Sequence, residues 1–472
     1  MIGTASLGLF LSTLDSGIIT IALPSLQAMF GVTATAIGWT VTLYMTTLIG
    51  TILLFGRLSD RQGKVKIATA GFIVFAAGSL ACGAADSALA LVLARGLQGV
   101  GAAMLQATSA ALISTQIAPR RRQAAFGTLG AILGLGPVLG PAVGGALLSV
   151  GGWRWIFWIN LPLCALGLAF CRALRHVREA RHDVPLDLAG SALIAAATLA
   201  LLTGLAQLPR GLMSAGSIGA LAAGLALAAV FIQRERRSPA PLLPLDKMRG
   251  RGFTAPFFSY LFMGFALTVC FIAPPYFLET VRRMAPWRVG LVSLCAPLGL
   301  AVFARISGAL MKRLAAQTLM TLGGIALCAS LAALATIEPT WSAADLAFAL
   351  LACGFGYGLM LPAIMSTVMA AVETARQGAV GAGHRMNQNI GIALGAGVCA
   401  ALIQAHGALA PEALTAALRQ AWALSALAIL GCVVAFARGG APAPAAQEKS
   451  ASEAIMSENG ETAAFAAAKI EL

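Results

Sequence analysis

The sequence predicts an all-α polytopic membrane protein with fourteen transmembrane helices. Hydrophobic residues make up 59% of its 472 residues, charged residues only 11%, and the mean hydropathy is +0.85. A soluble domain carries about 25% charged residues, so lipid is the natural solvent for this chain. Apolar segments of about 20 residues, which is the length of a helix that crosses a bilayer, recur along the whole sequence.

Fourteen spans follow one another with mostly short connections. They cover residues 3–24, 38–56, 66–85, 88–113, 124–149, 155–174, 187–207, 214–233, 253–277, 287–311, 316–336, 341–366, 377–404 and 418–438. No basic segment precedes the first span, so we expect a membrane helix there rather than a cleavable signal peptide. An even number of spans places both termini on one side of the membrane.

The spans divide into two halves. Residues 56–61 (GRLSDR) follow span 2 and residues 308–313 (GALMKR) end span 10, and both segments contain G-x-L-x-x-R. Such a repeat is typical of transporters built from two similar bundles. We expect a six-helix bundle in 1–174, an inserted two-helix hairpin with cytoplasmic linkers in 175–250, a second six-helix bundle in 251–440 and a disordered cytoplasmic tail in 441–472.

The distribution of basic residues indicates the orientation. With a cytoplasmic N-terminus, 21 of the 32 Lys and Arg residues lie in or beside inner connections and six in outer ones. All seven tryptophans then lie at or near outer ends of spans, including Trp422. The richness in Ala, and in Arg over Lys, suggests a bacterial gene. We therefore expect a bacterial cytoplasmic (inner) membrane, with both termini in the cytoplasm.

Several other classes of protein are disfavoured by the sequence. The net charge of +14 comes from short basic clusters between apolar runs, without the interleaved aromatics of a nucleic-acid binder. The nine cysteines form no CxxC pair, so neither a disulfide framework nor a metal site is indicated. GxxxxGK[ST], HExxH and GxGxxG are absent from the sequence. We expect no enzyme activity, no cofactor and no nucleic-acid partner.

Asp15 lies in the middle of the first span, in FLSTLDSGIITIALPSL (10–26). An ionised carboxylate in hydrocarbon costs at least ~2.5 kcal/mol, so it needs a partner, water or a proton. Arg95 on span 4 lies at nearly the same depth and can pair with it. An intramembrane acid marks a proton pathway more often than a simple helix contact. Gln98 and Gln106 extend the polar face of span 4 and are candidates to line a cavity.

Residues 56–67 (GRLSDRQGKVKI) are predicted to form the inner loop between spans 2 and 3. An inner basic loop with a turn glycine accounts for the cations but does not require Asp60. A carboxylate at this place can meet the positive N-terminal end of a helix, or an arginine, and hold the inner face closed. The predicted gating loop consists of Gly56, Asp60, Arg61, Gly63 and Lys64.

Two further segments carry unusual residues. In span 5, Gly136, Gly140 and Gly144 recur every four residues, and Pro137 and Pro141 predict a bend beside this smooth face. In span 13, residues 382–397 begin with a polar cluster near the predicted inner end. That cluster consists of His384, Arg385, Asn387, Gln388 and Asn389, and substrate contact and inter-helix hydrogen bonding explain it equally well.

Five segments, taken in order, resemble the fourteen-span drug:proton antiporter branch of the major facilitator superfamily. They are LDSGIITIALP (14–24), GRLSDRQGKVK (56–66), RGLQGVGAA (95–103), GPVLGPAVGG (136–145) and WRWIFWINLP (153–162). The resemblance implies the major facilitator fold of two six-helix bundles plus two extra central helices. It also implies a secondary active transporter that exports amphipathic drugs or antibiotics in exchange for protons by alternating access.

The resemblance also implies roles for individual residues. Asp15 and Arg95 would couple protons, Asp60 and Arg61 would belong to the gating loop, and the antiporter bend would comprise Gly140, Pro141, Gly144 and Gly145. The expected partners are protons, a small amphipathic substrate and the lipid bilayer, with the protein acting as a monomer.

Three alternative functions stay open at this point. A proton-coupled uptake symporter would share the fold, although the bend in span 5 favours an antiporter. A membrane enzyme would need catalytic polar groups at one interface, and the outer loops are short and poor in acids. The sequence does not exclude a non-transporting sensor or scaffold.

Overall fold

The computed structural model describes residues 1–177, 179, 186–207, 215–238, 251–372, 377–406 and 411–438. The predicted tail, and parts of the linkers on either side of the hairpin, lie outside these residues. Every regular element in the described part of the chain is helical. The helices are α1 (Ile2–Phe30), α2 (Ala34–Gln62), α3 (Lys64–Gly83), α4 (Ala88–Gln116), α5 (Pro119–Gly151), α6 (Trp155–Trp158), α7 (Asn160–Ala173), α8 (Leu188–Gln207), α9 (Ala215–Arg237), α10 (Arg251–Tyr276), α11 (Pro286–Ser293), α12 (Cys295–Leu310), α13 (Ala316–Leu334), α14 (Ala343–Ala370), α15 (Gln377–Ala405) and α16 (Pro411–Arg438).

The helices confirm the predicted class of fold. Within the described ranges, thirteen segments are long and apolar enough to cross a bilayer, and α5 occupies the fifth predicted span. The outer surface is apolar: Phe348 is 75% exposed and Leu89 is 68% exposed. Charged side chains such as Asp15 and Arg95 are buried instead. This arrangement suits a protein whose solvent is lipid rather than water.

Two predicted spans are interrupted, and a proline follows each interruption. Span 6 is divided into α6, which ends at Trp158, and α7, which contains Pro162. Span 10 is divided into α11, which ends at Ser293, and α12, which contains Pro297. A proline ring clashes with the carbonyl group four residues earlier and removes its hydrogen bond. In both spans the residue four positions before the proline is the last one of the preceding helix.

The prediction of an inner loop between spans 2 and 3 is wrong. Helix α2 continues to Gln62 and α3 begins at Lys64, so Gly63 alone connects them. Gly63 has φ 106°, a conformation that side-chain-bearing residues rarely adopt, and this explains why the connection is a glycine. The predicted gating residues Gly56, Asp60 and Arg61 therefore lie on the last turns of a helix.

The two halves of the protein touch closely at one end, which we call the basic end. It holds Gly63, the connection between α4 and α5, and the end of α12. A Cβ atom on Gly56 of α2 would lie 2.8 Å from the carbonyl oxygen of Gly378 of α15. A Cβ atom on Gly127 of α5 would lie 2.7 Å from the carbonyl oxygen of Ala304 of α12. Small residues thus bring the backbones of opposite halves into contact there.

The inserted hairpin, α8 and α9, packs beside both halves. Gly50 of α2 faces Ala195 of α8, where a Cβ atom would overlap the alanine side chain. On the other half, a Cβ atom on Gly397 of α15 would lie 3.0 Å from the Cβ atom of Leu205. Helix α8 therefore lies against α2 and α15, which are one of the pairs of helices that meet at the basic end.

Candidate functional site

Asp15 and Arg95 form a buried ion pair in the first bundle. Asp15 Oδ2 lies 2.6 Å from Arg95 Nη1, and the two side chains are 2% and 1% exposed. Gln98 Nε2 and Asn160 Nδ2 both donate hydrogen bonds to Asp15 Oδ1, over 2.8 and 3.0 Å. The same two amides contact the hydroxyl of Ser79, at 2.8 and 3.3 Å. We call Asp15, Ser79, Arg95, Gln98 and Asn160 the Asp15 cluster.

Arg95 is also held by helix α2, independently of Asp15. Its Nε donates to the carbonyl oxygen of Thr40 over 3.3 Å, and its guanidinium lies 4.1 Å from the centroid of the Tyr44 ring. The Tyr44 hydroxyl in turn donates to the carbonyl oxygen of Ser12 over 3.4 Å. The site therefore joins five helices: α1, α2, α3, α4 and α7.

The Asp15 cluster is built to hold an ionised carboxylate. Asp15 accepts three hydrogen bonds, of which one comes from a cation and two come from amides. The opposite charge of Arg95 compensates for the loss of water around both groups. Loss of either charge leaves the other uncompensated, which typically costs about 3–5 kcal/mol. A single proton on Asp15 would therefore change the balance of forces among five helices.

A second buried carboxylate joins the two halves at the basic end. Asp60 Oδ1 accepts from the backbone N–H of Gly378 over 3.2 Å, and Oδ2 accepts from that of Ala379 over 3.1 Å. Lys64 Nζ lies 3.1 Å from Asp60 Oδ1, and both side chains are 2% exposed or less. We call Asp60, Lys64, Gly378 and Ala379 the Asp60 latch.

The Asp60 latch is a carboxylate bound to the start of a helix. Helix α15 begins at Gln377, so the N–H groups of Gly378 and Ala379 have no partner within their own helix. The N-terminus of a helix also carries a partial positive charge, which favours an anion there. The helix N-terminus expected from the sequence is therefore the partner that Asp60 contacts. Arg61, in contrast, lies exposed in the last turn of α2.

Two of the predicted polar residues connect the halves deeper in the protein. Asn389 Nδ2 of α15 donates to Gln106 Oε1 of α4 over 2.9 Å. Gln106 Nε2 then donates to Ser12 Oγ of α1 over 3.1 Å. Asn387 serves a different contact, because its Nδ2 donates to the carbonyl oxygen of Phe257 within the second half. Gln106 and Asn389 thus extend the contact that begins at the Asp60 latch.

The other polar residues of α15 are buried side by side. Arg385 Nη1 donates to Gln388 Oε1 over 2.7 Å, and both residues are at most 2% exposed. The His384 ring lies 3.6 Å from the Tyr260 ring, measured between centroids, and is fully buried. Gln98, predicted to line the same cavity, lies instead in the Asp15 cluster.

The glycine face of α5 packs against α1. A Cβ atom on Gly140 would lie 2.6 Å from the Cα atom of Gly17, and one on Gly144 would lie 3.3 Å from the carbonyl oxygen of Ile18. Gly136 faces Thr13 in the same way, whereas a Cβ atom on Gly145 would meet no atom of the described residues within 4 Å outside its own helix, so Gly145 is not part of this contact. Pro137 and Pro141 lie within helix α5, which continues through both.

Sequence reasoning missed Asn160, Ser79 and the anchors of Arg95. Asn160 had a signal, since it is the amide in the aromatic segment WRWIFWINLP that leads into span 6. Ser79 and Tyr44 carried none, because a serine or tyrosine within an apolar span is common.

Comparison with known proteins identifies the family. The family model described as Major Facilitator Superfamily matches residues 5–396. Puromycin resistance protein pur8 of Streptomyces alboniger is 33% identical over 410 residues, which are 84% of this chain and 82% of that protein. Multidrug resistance protein Stp of Mycobacterium tuberculosis is 32% identical over 403 residues, which are 84% of this chain and 74% of that protein.

Among solved structures, the proton:xylose symporter XylE has a similar fold. The TM-score is 0.66 at 13% sequence identity, and the match covers 92% of this chain and 94% of that one. The resemblance found in the sequence motifs is therefore confirmed at the level of the family. This chain belongs to the Major Facilitator Superfamily and is a multi-pass membrane transporter rather than an enzyme.

Proposed function

We propose that this transporter exports amphipathic drugs or antibiotics in exchange for protons. The observation that carries the proposal is the Asp15 cluster, an ion pair with two amide donors buried among five helices. Asp15 is the group that takes up and releases the proton, and Arg95 is the group that responds to its charge. No external energy source other than an ion gradient is needed by such a cycle.

The proton acts by weakening the pairing of Asp15 with Arg95. When Asp15 is neutral, Arg95 keeps its contacts with Thr40 and Tyr44 on α2 but loses its counter-charge on α1. The ion pair that fixes α1 relative to α4 and α2 is then lost, so the free energy that holds these helices in their positions decreases. A change of about 3–5 kcal/mol approaches the roughly 5.5 kcal/mol that inverts a 1:99 equilibrium between two conformations.

The basic end is the cytoplasmic end in this proposal, because Lys and Arg concentrate there. The structure is then closed towards the cytoplasm, with the Asp60 latch and the pair Gln106–Asn389 as the closing contacts. Opening of the latch admits substrate from the cytoplasm. Both termini lie in the cytoplasm, and the protein works as a monomer in a bacterial inner membrane.

The relatives support export as the direction of transport. Pur8 and Stp are named for resistance to puromycin and to multiple drugs. A membrane transporter of this superfamily confers resistance most directly by moving the drug out of the cell. The glycine face of α5 packs against α1, the helix that carries Asp15, so we expect a movement of α5 to affect the position of Asp15.

Inverted membrane vesicles with an acidic interior test the proposal. Addition of puromycin and of a panel of lipophilic cations to wild-type vesicles is expected to release protons from the interior, and Asp15→Asn is expected to abolish this release. Asp86→Asn is the matched control, because Asp86 also faces an arginine, Arg154, but is 95% exposed. If protons instead crossed the membrane in the same direction as the substrate, the protein would be an uptake symporter.

A further inference from the structure

Arg385 is a buried cation for which the described part of the chain supplies no acidic partner. Its side chain is 1% exposed, and its Nη1 bonds to the neutral amide oxygen of Gln388. Its Nε is buried and has no hydrogen-bond partner among the described residues. Of the buried acids on the described helices, Asp15 pairs with Arg95 and Asp60 pairs with Lys64, while Glu235 lies on α9 of the inserted hairpin.

Arg385 lies between the two halves of the protein. Residues 381, 385 and 389 share one face of α15, because positions four apart in a helix lie above one another. On that face, a Cβ atom on Gly381 would lie 3.4 Å from the Cβ atom of Ala110, and Asn389 binds Gln106. Both neighbours belong to α4 of the first half, so this face is directed across the interface.

Opening of the Asp60 latch would uncover Arg385. It lies six residues beyond Ala379, which is about 9 Å along the helix axis. It also precedes Asn389, whose contact with Gln106 closes the interface more deeply. A separation of α15 from α2 and α4 at the basic end therefore exposes the guanidinium to whatever enters from that side.

A lone guanidinium at this depth is costly unless an anion joins it. A buried cation without a counter-charge is one of the most unfavourable features a membrane protein can retain, and such residues mark substrate or ion pathways. Nε lies on the edge of the guanidinium that pairs with a carboxylate through two parallel hydrogen bonds. The aromatic pair of His384 and Tyr260 lies beside it and offers a flat aromatic surface.

We propose that Arg385 binds the carboxylate group of the transported molecule, so that the substrates include amphipathic organic acids. This inference rests on the proposed export function and specifies its substrate class. The acid enters from the basic end, pairs with Arg385, and places its apolar body beside Tyr260 and His384. Its negative charge supplies the counter-charge that no described residue gives to Arg385.

Binding of acids and their esters to the purified full-length protein tests the inference. Fusidic acid, nalidixic acid and deoxycholic acid are each compared with their methyl esters at pH 7, with dissociation constants taken from ligand-dependent thermal melting. At least one acid is expected to bind wild-type protein about tenfold or more tightly than its ester. Arg385→Gln is expected to raise the dissociation constant of that acid by about 10- to 100-fold and to leave the dissociation constant of the ester unchanged.

Two further measurements separate recognition from folding. The melting temperature of ligand-free Arg385→Gln is expected to equal or exceed that of the wild type, because the substitution removes an uncompensated buried charge. Arg305→Gln is the matched control, because Arg305 lies exposed on α12 of the same half, and it is expected to keep the wild-type affinity. A lower melting temperature for ligand-free Arg385→Gln would assign Arg385 to structure and overturn the inference.

The outcomes also distinguish this inference from the export function. The inference would be overturned if wild-type protein bound no acid more tightly than its ester. It would also be overturned if Arg385→Gln and wild type bound the acid with equal affinity. Puromycin-dependent proton release by wild-type vesicles would then still support export. Binding of an acid through Arg385 without proton movement by any compound would support the recognition and contradict the antiport.

Discussion

Replacement of Asp60 by asparagine tests whether one carboxylate holds the two halves closed. Asp60 accepts backbone hydrogen bonds from Gly378 over 3.2 Å and Ala379 over 3.1 Å. An asparagine side chain keeps one acceptor oxygen and turns an N–H donor towards the other backbone N–H. The substitution also removes the negative charge that faces the start of α15 and the ammonium group of Lys64.

The expected shift in the equilibrium between the closed and open states follows from the loss of this hydrogen bond and of the negative charge. A hydrogen bond to a charged group contributes about 1.5–3 kcal/mol, and a charge at a helix N-terminus about 0.3–1 kcal/mol. Together they favour the open state by about 2–4 kcal/mol, or roughly 30- to 700-fold in the equilibrium constant. The proposed alternating access requires both states to be accessible in the wild type, so a shift of this size raises the population of the open state.

Distances between spin labels measure the populations directly. Labels at Lys66 on α3 and at Lys312 after α12 lie on exposed positions at the basic end of opposite halves. Seven of the nine cysteines are buried, and the two partly exposed ones, Cys295 and Cys328, are replaced by serine. Asp60→Asn is expected to add a longer distance that wild type populates less.

The control for this experiment is Asp187→Asn. Asp187 pairs with Arg234 over 3.0 Å, but both residues belong to the inserted hairpin and do not join the halves. The control is expected to give the wild-type distribution of distances. An unchanged distribution in Asp60→Asn would refute the assignment of the latch.

Three further predictions concern other contacts. Gly140→Ala places a methyl group against the α1 backbone and is expected to lower stability by about 1–3 kcal/mol in thermal melting. Gly145→Ala, whose methyl group would meet none of the described neighbours within 4 Å, is expected to change stability by less than about 0.5 kcal/mol. Asn160→Ala removes one donor to the buried carboxylate of α1 and is expected to reduce proton-coupled drug transport, with equal transport in mutant and wild-type vesicles counting against a role for this amide. Asn389→Ala breaks the bond to Gln106 and is expected to favour the open state by about 1 kcal/mol, which spin-label distances at the basic end would report as a roughly fivefold change.

The membrane fold could be predicted because hydropathy reports the solvent of each segment. Hydropathy averaged over a window of about 20 residues could not locate the interruptions at Ile159 and Leu294, because the average includes the residues on both sides of the point where a helix stops. Pro162 and Pro297 are consistent with the two positions, but the proline rule alone does not locate them, because α5 continues through Pro137 and Pro141.

Trp422 shows a limit of the interfacial pattern. The sequence placed it near the outer end of span 14, yet its side chain is fully buried. Helix α16 begins at Pro411, seven residues before the predicted span, so Trp422 lies about three turns inside the helix. The polar residues that open α16 hid its true start from a hydropathy window.

The Asp15 site could be predicted in part. The rise per residue sets the depth of a side chain, so the similar depths of Asp15 and Arg95 made their pairing a reasonable expectation. Depth says nothing about which helices are neighbours, however. Asn160 comes from α7, and its approach to Asp15 depends on packing that no local pattern encodes.

Proton release on drug binding tests the central claim most directly. Purified protein in weakly buffered detergent receives puromycin, or whichever compound first moves protons in vesicles, while a pH indicator records the proton count. Wild-type protein is expected to release protons when the drug binds, and Asp15→Asn is expected to bind the drug and release none. Equal release by both proteins would contradict the assignment of Asp15 as the proton carrier.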